Sequence, residues 1–507
     1  MGTAAARPAR ARPLAELTAG LVDVPPTVLV SDLTLDSRSV SPGALFLACR
    51  GRTHHGIEFA RQAVEQGARA ILYECSGDDL QAAPELGPDV FVAGVPQLGS
   101  RVGEIADRFF GEPSRSIRVA GVTGTNGKTT CAWLLAQALN YCGRPAAYAG
   151  TVGYGRPGAL VSSEHTTADA VTVHRRLAQL RDEGVECVAM EVSSHALDQS
   201  RVAGVRFRCA VFTNLTRDHL DYHGTMQAYG EAKARLLAWP TLAERVINVD
   251  DAFGLQLAGQ PSAARLVVTS RRAGEGDGLP DGKYVRARGV QMVPGGMVIS
   301  VESSWGAADV SVRLLGEFNA DNVLSVLAVL LAWDVPLAEA ARALGQCTAA
   351  PGRMEAFGGR GSAPLAIVDY AHTPDALANA LRAARSYCRG RLRVVFGCGG
   401  DRDRGKRALM GRVAGELADE IVLTDDNPRS EDPQHIVADI LGGIERGRSV
   451  SVEHDRARAI RATLRRSGPA DVVLIAGKGH EDYQIYGAER RPFSDQEIVR
   501  SELGGQA

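Results

Sequence analysis

Short apolar runs along this chain alternate with longer stretches in which apolar positions recur every three or four residues, the pattern of strands separated by helices. Residues 56–67 have helical spacing, and the apolar runs at 70–73 and 90–95 predict strands. The turn residues Glu112-Pro113-Ser114 break this pattern, and a first domain boundary is placed there. Ile117 then opens an apolar strand that enters a glycine-rich turn, and residues 131–142 show helical spacing that stops at Gly143, a C-cap residue. Further strands are predicted at 187–191, 210–214 and 246–251, each leaving into polar or acidic residues, with a helix at 226–238. Residues 258–295 are rich in glycine and show no clear period, although 297–303 alternate as a strand does. A second change of character falls at Ala350-Pro351-Gly352-Arg353, after which strands are predicted at 366–370, 392–397, 420–424 and 471–476 and a helix at 374–388. The expected fold is α/β in three domains. These are a small N-terminal α/β domain over 1–111, a central doubly wound domain over 112–350 and a C-terminal Rossmann-like domain over 351–507. Residues 1–13 carry three arginines and no apolar stretch, and are expected to form a disordered tail.

Composition narrows the class. With 45% hydrophobic and 23% charged residues and a net charge of −2, the balance calls for neither nucleic acid nor an anionic membrane as partner. No apolar run reaches the length of a membrane span. The nine cysteines include no C-x-x-C pair and read as small buried hydrophobes in a reducing compartment, so a cytoplasmic protein is expected.

The candidate chemistry sits where strands end. Gly121-Val122-Thr123-Gly124-Thr125-Asn126-Gly127-Lys128-Thr129-Thr130 joins a strand to a helix. Backbone N–H groups of such a loop hold an anion, Lys128 adds charge and the Thr129 hydroxyl suits Mg²⁺, so a nucleoside triphosphate is the predicted ligand. The spacing departs from the strict phosphate-loop pattern, because position 122 is Val. Glu191 ends a strand in Met-Glu-Val-Ser-Ser-His, and Asn214, Asp218 and His219 leave the next one. Several such groups on one edge favour a metal–nucleotide site, while each alone reads equally as a loop residue. Lys233, in Glu231-Ala232-Lys233-Ala234-Arg235, reads from its own helix as a solvated lysine. Arg402 and Arg429 stand at two strand exits and Glu481 at a third. Two arginine forks for carboxylates and one carboxylate for an ammonium describe a pocket for a zwitterion; each cluster alone is a charged loop.

These motifs together resemble one family. The loop at 121–130 is similar to the ATP loop of the Mur ligases and of the related folylpolyglutamate synthetases. Leu35-Asp36-Ser37-Arg38, residues 190–195, 213–223, Gly352-Arg353-Met354-Glu355, 369–375 and 477–484 resemble Mur ligase motifs in all three domains. The resemblance implies an ATP-dependent amide ligase of peptidoglycan precursor synthesis that works through an acyl phosphate. It implies ATP and Mg²⁺ as cofactors, small-molecule substrates as partners with no nucleic acid or membrane insertion, and a monomer in the cytoplasm. Asp426-Asn427-Pro428-Arg429 looks like the signature of the branch that adds meso-diaminopimelate to UDP-MurNAc-L-Ala-D-Glu. An arginine fork facing lysine, which lacks the distal carboxylate, would leave a charge unpaired at a cost of about 2–5 kcal/mol.

Residue by residue, the resemblance implies that Leu35, Ser37, Arg52, Thr53 and His54 hold the UDP end, and that Thr166, Thr167, Ser193, Gln199 and Arg201 hold the muramoyl-dipeptide. Gly124, Thr125, Asn126, Gly127, Lys128, Thr129 and Thr130 would hold ATP, with Asn319, Asn322, Arg353 and Asp369 around the nucleotide. Arg402, Asp426, Asn427, Pro428, Arg429, Gly477 and Glu481 would bind the amino acid. Lys233 matches a lysine carbamylated in these ligases, and Thr129, Glu191, His219 and the Lys233 carbamate would be metal ligands. Lys128, Glu191, His219, Lys233 and His372 would serve catalysis, His372 by positioning the nucleotide or the charged intermediate. Many members have Thr-Thr-Pro where this chain has Thr166-Thr167-Ala168; both hydroxyls are kept. The domains are expected to close about hinges near 112 and 350. Two alternatives stand beside this reading: a lysine-adding or folate ligase of the same family, and a non-catalytic ATP-binding scaffold.

Overall fold

The computed structural model describes residues 11–51, 53–76, 86–163, 165–272, 282–293 and 295–504, and the chain divides into two compact units. The first comprises Met1–Lys128, Arg144–Arg245 and Gln260–Arg265; the second comprises Thr129–Gly143, Val246–Gly259 and Leu266–Ala507.

In the first unit, Leu33–Thr34, Leu45–Ala48, Ala70–Cys75 and Phe91–Pro96 form a parallel sheet in that order. Alternation along these strands feeds two cores. Leu45, Leu47 and Leu72 pack with Ile105 of the helix Leu98–Phe109 on one face, and Phe46 and Ile71 pack with Ala60 and Ala63 on the other. The expected helix at 56–67 begins as a turn of 3-10 helix at Gly56–Phe59 and becomes α-helical at Ala60–Glu65. His55 causes that start, because its ring accepts from Ile57 N while Glu58 returns a bond to the His55 amide. The tail reading does not extend to Arg12 and Pro13, which pair with Val30 and Leu29; residues 1–10 lie outside the described ones.

The same unit holds the strand Arg118–Thr123, flanked in parallel by Cys187–Glu191 and Phe207–Phe212. Ala146–Gly150 extends this sheet beside Cys187–Glu191, followed by the antiparallel Gly153–Arg156 and Ala159–Val161. Cys187–Glu191 is buried at every position, which is why it reads as an unbroken apolar run. The helix Leu98–Phe109 approaches the turn at Ala203 so closely that a Cβ on Gly103 would overlap the Ala203 carbonyl.

In the second unit, Arg265–Ser270 runs parallel to Lys283–Val293, which continues through Gly296–Ser303 into Gly306–Val312 as an antiparallel meander. The glycine-rich stretch without a clear period therefore contains two strands. A six-stranded sheet follows in the order Glu355–Gly358, Leu365–Asp369, Val472–Ala476, Leu392–Phe396, Glu420–Leu423 and Val450–Val452, parallel except at its first strand. Its two faces build separate cores, one around Leu377, Leu381 and Met410 and the other around Ile460, Leu464 and Val499. The strand exits at Phe396, Leu423 and Ala476 carry all the candidate amino-acid-binding residues. None of the nine cysteines is in a disulfide, and six are buried.

Candidate active site

The strand Arg118–Thr123 ends at Gly124, whose φ is +146°, and a Cβ there would overlap the Thr213 hydroxyl. Only glycine fits. Thr213 Oγ1 donates to Asn126 O at 2.6 Å and Asn214 Oδ1 accepts from Asn126 N at 2.9 Å, so the next strand exit shapes the loop. Thr125 Oγ1 lies 3.2 Å from both Thr216 O and the Tyr229 hydroxyl. Two lysines meet one oxygen: Lys128 Nζ donates to Gly124 O at 2.9 Å and Lys233 Nζ to the same carbonyl at 2.8 Å. Lys233 is 1% exposed and its ammonium sits 4.3 Å from the Tyr229 ring centroid. Burial first, and the Lys128 charge second, push its pKa well below the ordinary lysine value. A lowered pKa favours the neutral amine, which is nucleophilic, over the ammonium, which is not.

Glu191 lies at the end of its strand with no exposure. One oxygen, Oε1, accepts from the Tyr148 hydroxyl and from Thr151 N, the latter at 2.9 Å; Oε2 accepts from Thr151 Oγ1 at 3.1 Å. Thr151 Oγ1 also lies 3.0 Å from Thr166 Oγ1, and Thr167 Oγ1 donates to the Glu191 carbonyl at 2.8 Å and accepts from Ser193 N. Arg201 donates to Thr167 O at 3.1 Å and to Gln199 Oε1 at 2.6 Å. Beside them, the rings of His195, His219, His223 and Tyr222 form one aromatic group. Burial and the neighbouring His219 and His223 depress His195 to about 4.

In the second unit, Arg353 Nη2 lies 3.4 Å from Thr129 Oγ1 and its guanidinium covers the Tyr370 ring at 4.7 Å. Its buried Nε has no hydrogen-bond partner among the described residues, as suits a group that meets a ligand anion. At the amino-acid end, Arg429 donates to Gly400 O at 2.8 Å. A Cβ on Gly399 would stand 2.8 Å from Arg429 Nη1 and 3.7 Å from Arg402 Cγ, so the two arginines bracket that glycine. Lys478, with no exposure, donates to Glu481 Oε2 at 3.0 Å and Asn427 Oδ1 at 3.1 Å, and its Nζ is 3.9 Å from Asp426.

Models of three Mur ligase segments match this chain: the family's catalytic domain over 30–107, the middle domain over 122–330 and the glutamate ligase domain over 352–479. The UDP-N-acetylmuramoyl-L-alanyl-D-glutamate--2,6-diaminopimelate ligase of Alkalilimnicola ehrlichii is 49% identical over 480 residues, covering 94% of this chain and 95% of that protein. The chain belongs to the Mur ligase family. A solved structure of a ligase of the same name aligns with a TM-score of 0.70 at 34% identity, covering 98% of this chain and 99% of the other. MurF from Acinetobacter baumannii shares the fold, with a TM-score of 0.65, 19% identity and the same coverage. The three-domain α/β architecture expected from the sequence is thus that of the Mur ligases.

Within this Mur ligase, several expected site residues are brought together. Thr166, Thr167, Ser193, Gln199 and Arg201 converge around Glu191, and Arg402, Asp426, Asn427, Pro428, Arg429, Gly477 and Glu481 converge at the second unit's strand exits. Others are placed differently. Glu481 is not a free carboxylate, because Lys478 and Asn427 already occupy Oε2. Asn319 and Asn322 are buried and bonded to Leu315 O and to each other. Asp369 caps the backbone, accepting from Met354 N at 2.7 Å and Ala371 N at 2.9 Å, and so holds the turn that carries Arg353. His372 is exposed and its Nδ1 lies 2.9 Å from Tyr370 O. The Ser37 hydroxyl is buried against Gln62, Leu35 is half-buried, Thr53 and His54 are exposed, and Arg52 lies outside the described residues. Lys233 is buried rather than solvated.

Three participants escaped the sequence reading: Tyr148 and Thr151, which hold Glu191, and Lys478. Only Lys478 lay within a quoted motif. No group of three or more His, Cys, Asp or Glu suited to a metal occurs among the described residues. Glu191, a buried carboxylate at a strand exit, is of the oxygen-donor type that suits Mg²⁺; a Cβ on the neighbouring Gly150 would overlap its Oε1.

Proposed function

We propose that this chain is an ATP-dependent amide ligase that joins meso-2,6-diaminopimelate to the D-glutamate of UDP-MurNAc-L-Ala-D-Glu, in the cytoplasm and as a monomer. No helix among the described residues is long and apolar enough to cross a membrane. The observation that carries the reading is the amino-acid end, where Arg429 and Arg402 flank one glycine beside the buried Asp426 and Lys478 and the half-buried Glu481. The identity to relatives named for this reaction supports it across 94% of the chain.

The D-glutamate carboxylate attacks the γ-phosphorus of ATP, giving an acyl phosphate and ADP. The amine of diaminopimelate attacks the acyl carbon, and the tetrahedral intermediate collapses to the amide with loss of phosphate. Two anions must meet in the first step. Lys128 offsets their repulsion, the loop at 124–130 and Arg353 hold the phosphates, and Asn319, Asn322 and Asp369 keep the surrounding backbone in place. Thr166, Thr167, Ser193, Gln199 and Arg201 orient the dipeptide, while Leu35, Ser37, Arg52, Thr53 and His54 serve its nucleotide end. Tyr148 and Thr151 fix the Glu191 carboxylate. Lys233, whose neutral amine is favoured by burial, can add CO₂, with its N–H proton passing to water, and become a carbamate, replacing a cation with an anionic oxygen donor. With Thr129, Glu191 and His219 that carbamate would hold Mg²⁺, which supplies charge stabilisation to the phosphates when bound. His372 stays near the nucleotide as a positioning group.

The test is release of phosphate and ADP with each substrate omitted in turn. A ligase requires the nucleotide-sugar dipeptide, the amino acid and ATP together. Hydrolysis indifferent to the first two, or none at all with ATP bound, contradicts the proposal and fits a scaffold.

A further inference from the structure

We propose that Asp425, acting through Tyr486 with His454, is a positioning residue that sets Arg429 for the distal carboxylate of the amino-acid substrate. The inference rests on the reading of Arg429 as a carboxylate clamp, and it assigns that clamp's selectivity to residues that do not touch the substrate.

Arg429 has φ +55°, a left-handed backbone that an arginine rarely adopts and that its surroundings must impose. Those surroundings are a hairpin. Tyr483–Tyr486 and Glu489–Pro492 form their own two-stranded sheet, outside the six-stranded one. Isolated two-stranded hairpins are marginal in water, so this one depends on its seat. Arg429 N donates to Ile485 O at 3.0 Å and Gly487 N donates to Arg429 O at 2.7 Å, which bonds the arginine backbone to the hairpin from both sides. Gln484 Nε2 donates to the carbonyls of Asp425 and Asp426, and Ile485 N donates to Asn427 Oδ1.

The side-chain anchor of this seat is Asp425. Its side chain is 5% exposed and both oxygens are engaged: Oδ1 lies 2.7 Å from His454 Nδ1 and Oδ2 accepts from the Tyr486 hydroxyl at 3.0 Å. Asp425 thus joins three pieces of chain, the exit of Glu420–Leu423, the second residue after Val450–Val452, and the hairpin. Burial, and then the Asp425 charge, raise the Tyr486 hydroxyl above its ordinary value, so it stays a donor throughout the working range. The Arg491 guanidinium covers the same ring at 4.8 Å and steadies it. Loosening Tyr486 therefore loosens Ile485 and Gly487, and through them the backbone that aims the Arg429 fork.

The test uses the full-length enzyme with Tyr486→Phe, Asp425→Asn, His454→Gln and His454→Ala. Tyr486→Phe removes one hydroxyl and carries the test where Asp425→Asn fails to fold. Losing a hydrogen bond to a buried carboxylate predicts a KM for meso-diaminopimelate raised about 10-fold, with kcat and the KM for ATP within twofold of wild type. Lysine incorporation in competition rises in the same variant. His454→Gln, which keeps a donor for Oδ1, retains the wild-type KM, whereas His454→Ala raises it. A KM in Tyr486→Phe within twofold of wild type, in an enzyme that selects diaminopimelate, overturns this inference alone. A wild-type enzyme that takes lysine equally overturns the reading of Arg429, and the inference with it.

Discussion

Two lysines of this chain are almost completely removed from water, and they are opposites. Lys233 ends on a carbonyl oxygen that it shares with Lys128, and its pKa is driven far down. Lys478 ends on a carboxylate and an amide oxygen, Glu481 and Asn427, with Asp426 beside it. A charge taken from water must find a counter-charge or give up its proton. Lys478 has the counter-charge and serves as structure. At Lys233 the Asp218 charge is outweighed by burial and by the charge of Lys128, so the neutral, reactive amine is favoured. Burial alone would make both look catalytic; the partner decides.

The largest effect expected from this contrast is catalytic. Lys233→Met should lower kcat by about 10³-fold or more while the protein stays folded, because it removes the anionic donor that carbamylation would create. Omitting CO₂ and bicarbonate from the wild type should lower the rate in the same direction; steady-state assays in degassed buffer check both. Lys478→Met should act on stability instead. It leaves the buried Asp426 and the half-buried Glu481 without their shared cation, and about 3 kcal/mol of unfolding free energy should be lost in denaturant titrations. Equal stability in the two variants would break the comparison.

Arg429→Lys should raise the KM for diaminopimelate about 30-fold or more, since an ammonium cannot reproduce a two-point fork. The smallest expected effect is in pH. The folded Lys233 has a pKa below its unfolded value of 10.5, so between the two the unfolded chain binds more protons and stability rises with pH. His195 works in the same sense in acid: with a folded value of about 4 against 6.5, stability falls as the pH drops from about 6.5 towards 4. Unfolding midpoints of the wild type, Lys233→Met and His195→Gln across that range check the sign, and each variant should flatten its own part of the slope.

Legibility in the sequence followed burial geometry. The strand predicted at 187–191 is Cys187–Glu191 to the residue, because a strand covered on both faces needs an unbroken apolar run. The strands Leu33–Thr34 and Leu45–Ala48 escaped for being short, and the helix Leu98–Phe109 escaped although Leu98, Val102, Ile105 and Phe109 recur at helical spacing. Gly103 is there for close approach to Ala203, a constraint that belongs to the tertiary structure. In the site, strand exits were readable and their partners were not. Thr151 stands 40 residues before Glu191, and nothing local marks it. Lys233 read as solvated because Glu231 and Arg235 flank it, and its burial shows only in the fold, where it reaches the Gly124 carbonyl and the Tyr229 ring. Glu481 was expected to receive an ammonium, and the bond that Lys478 already gives its Oε2 was hidden for the same reason, since Lys478 lay in the motif with no indication of where it pointed.

The central claim is that the amino-acid end is built for a substrate with a second carboxylate. The most direct test is mass analysis of the product formed from UDP-MurNAc-L-Ala-D-Glu, ATP and Mg²⁺ with equimolar meso-diaminopimelate and L-lysine. The product predicted carries diaminopimelate alone. A product carrying lysine in comparable amount would contradict the role given to Arg429.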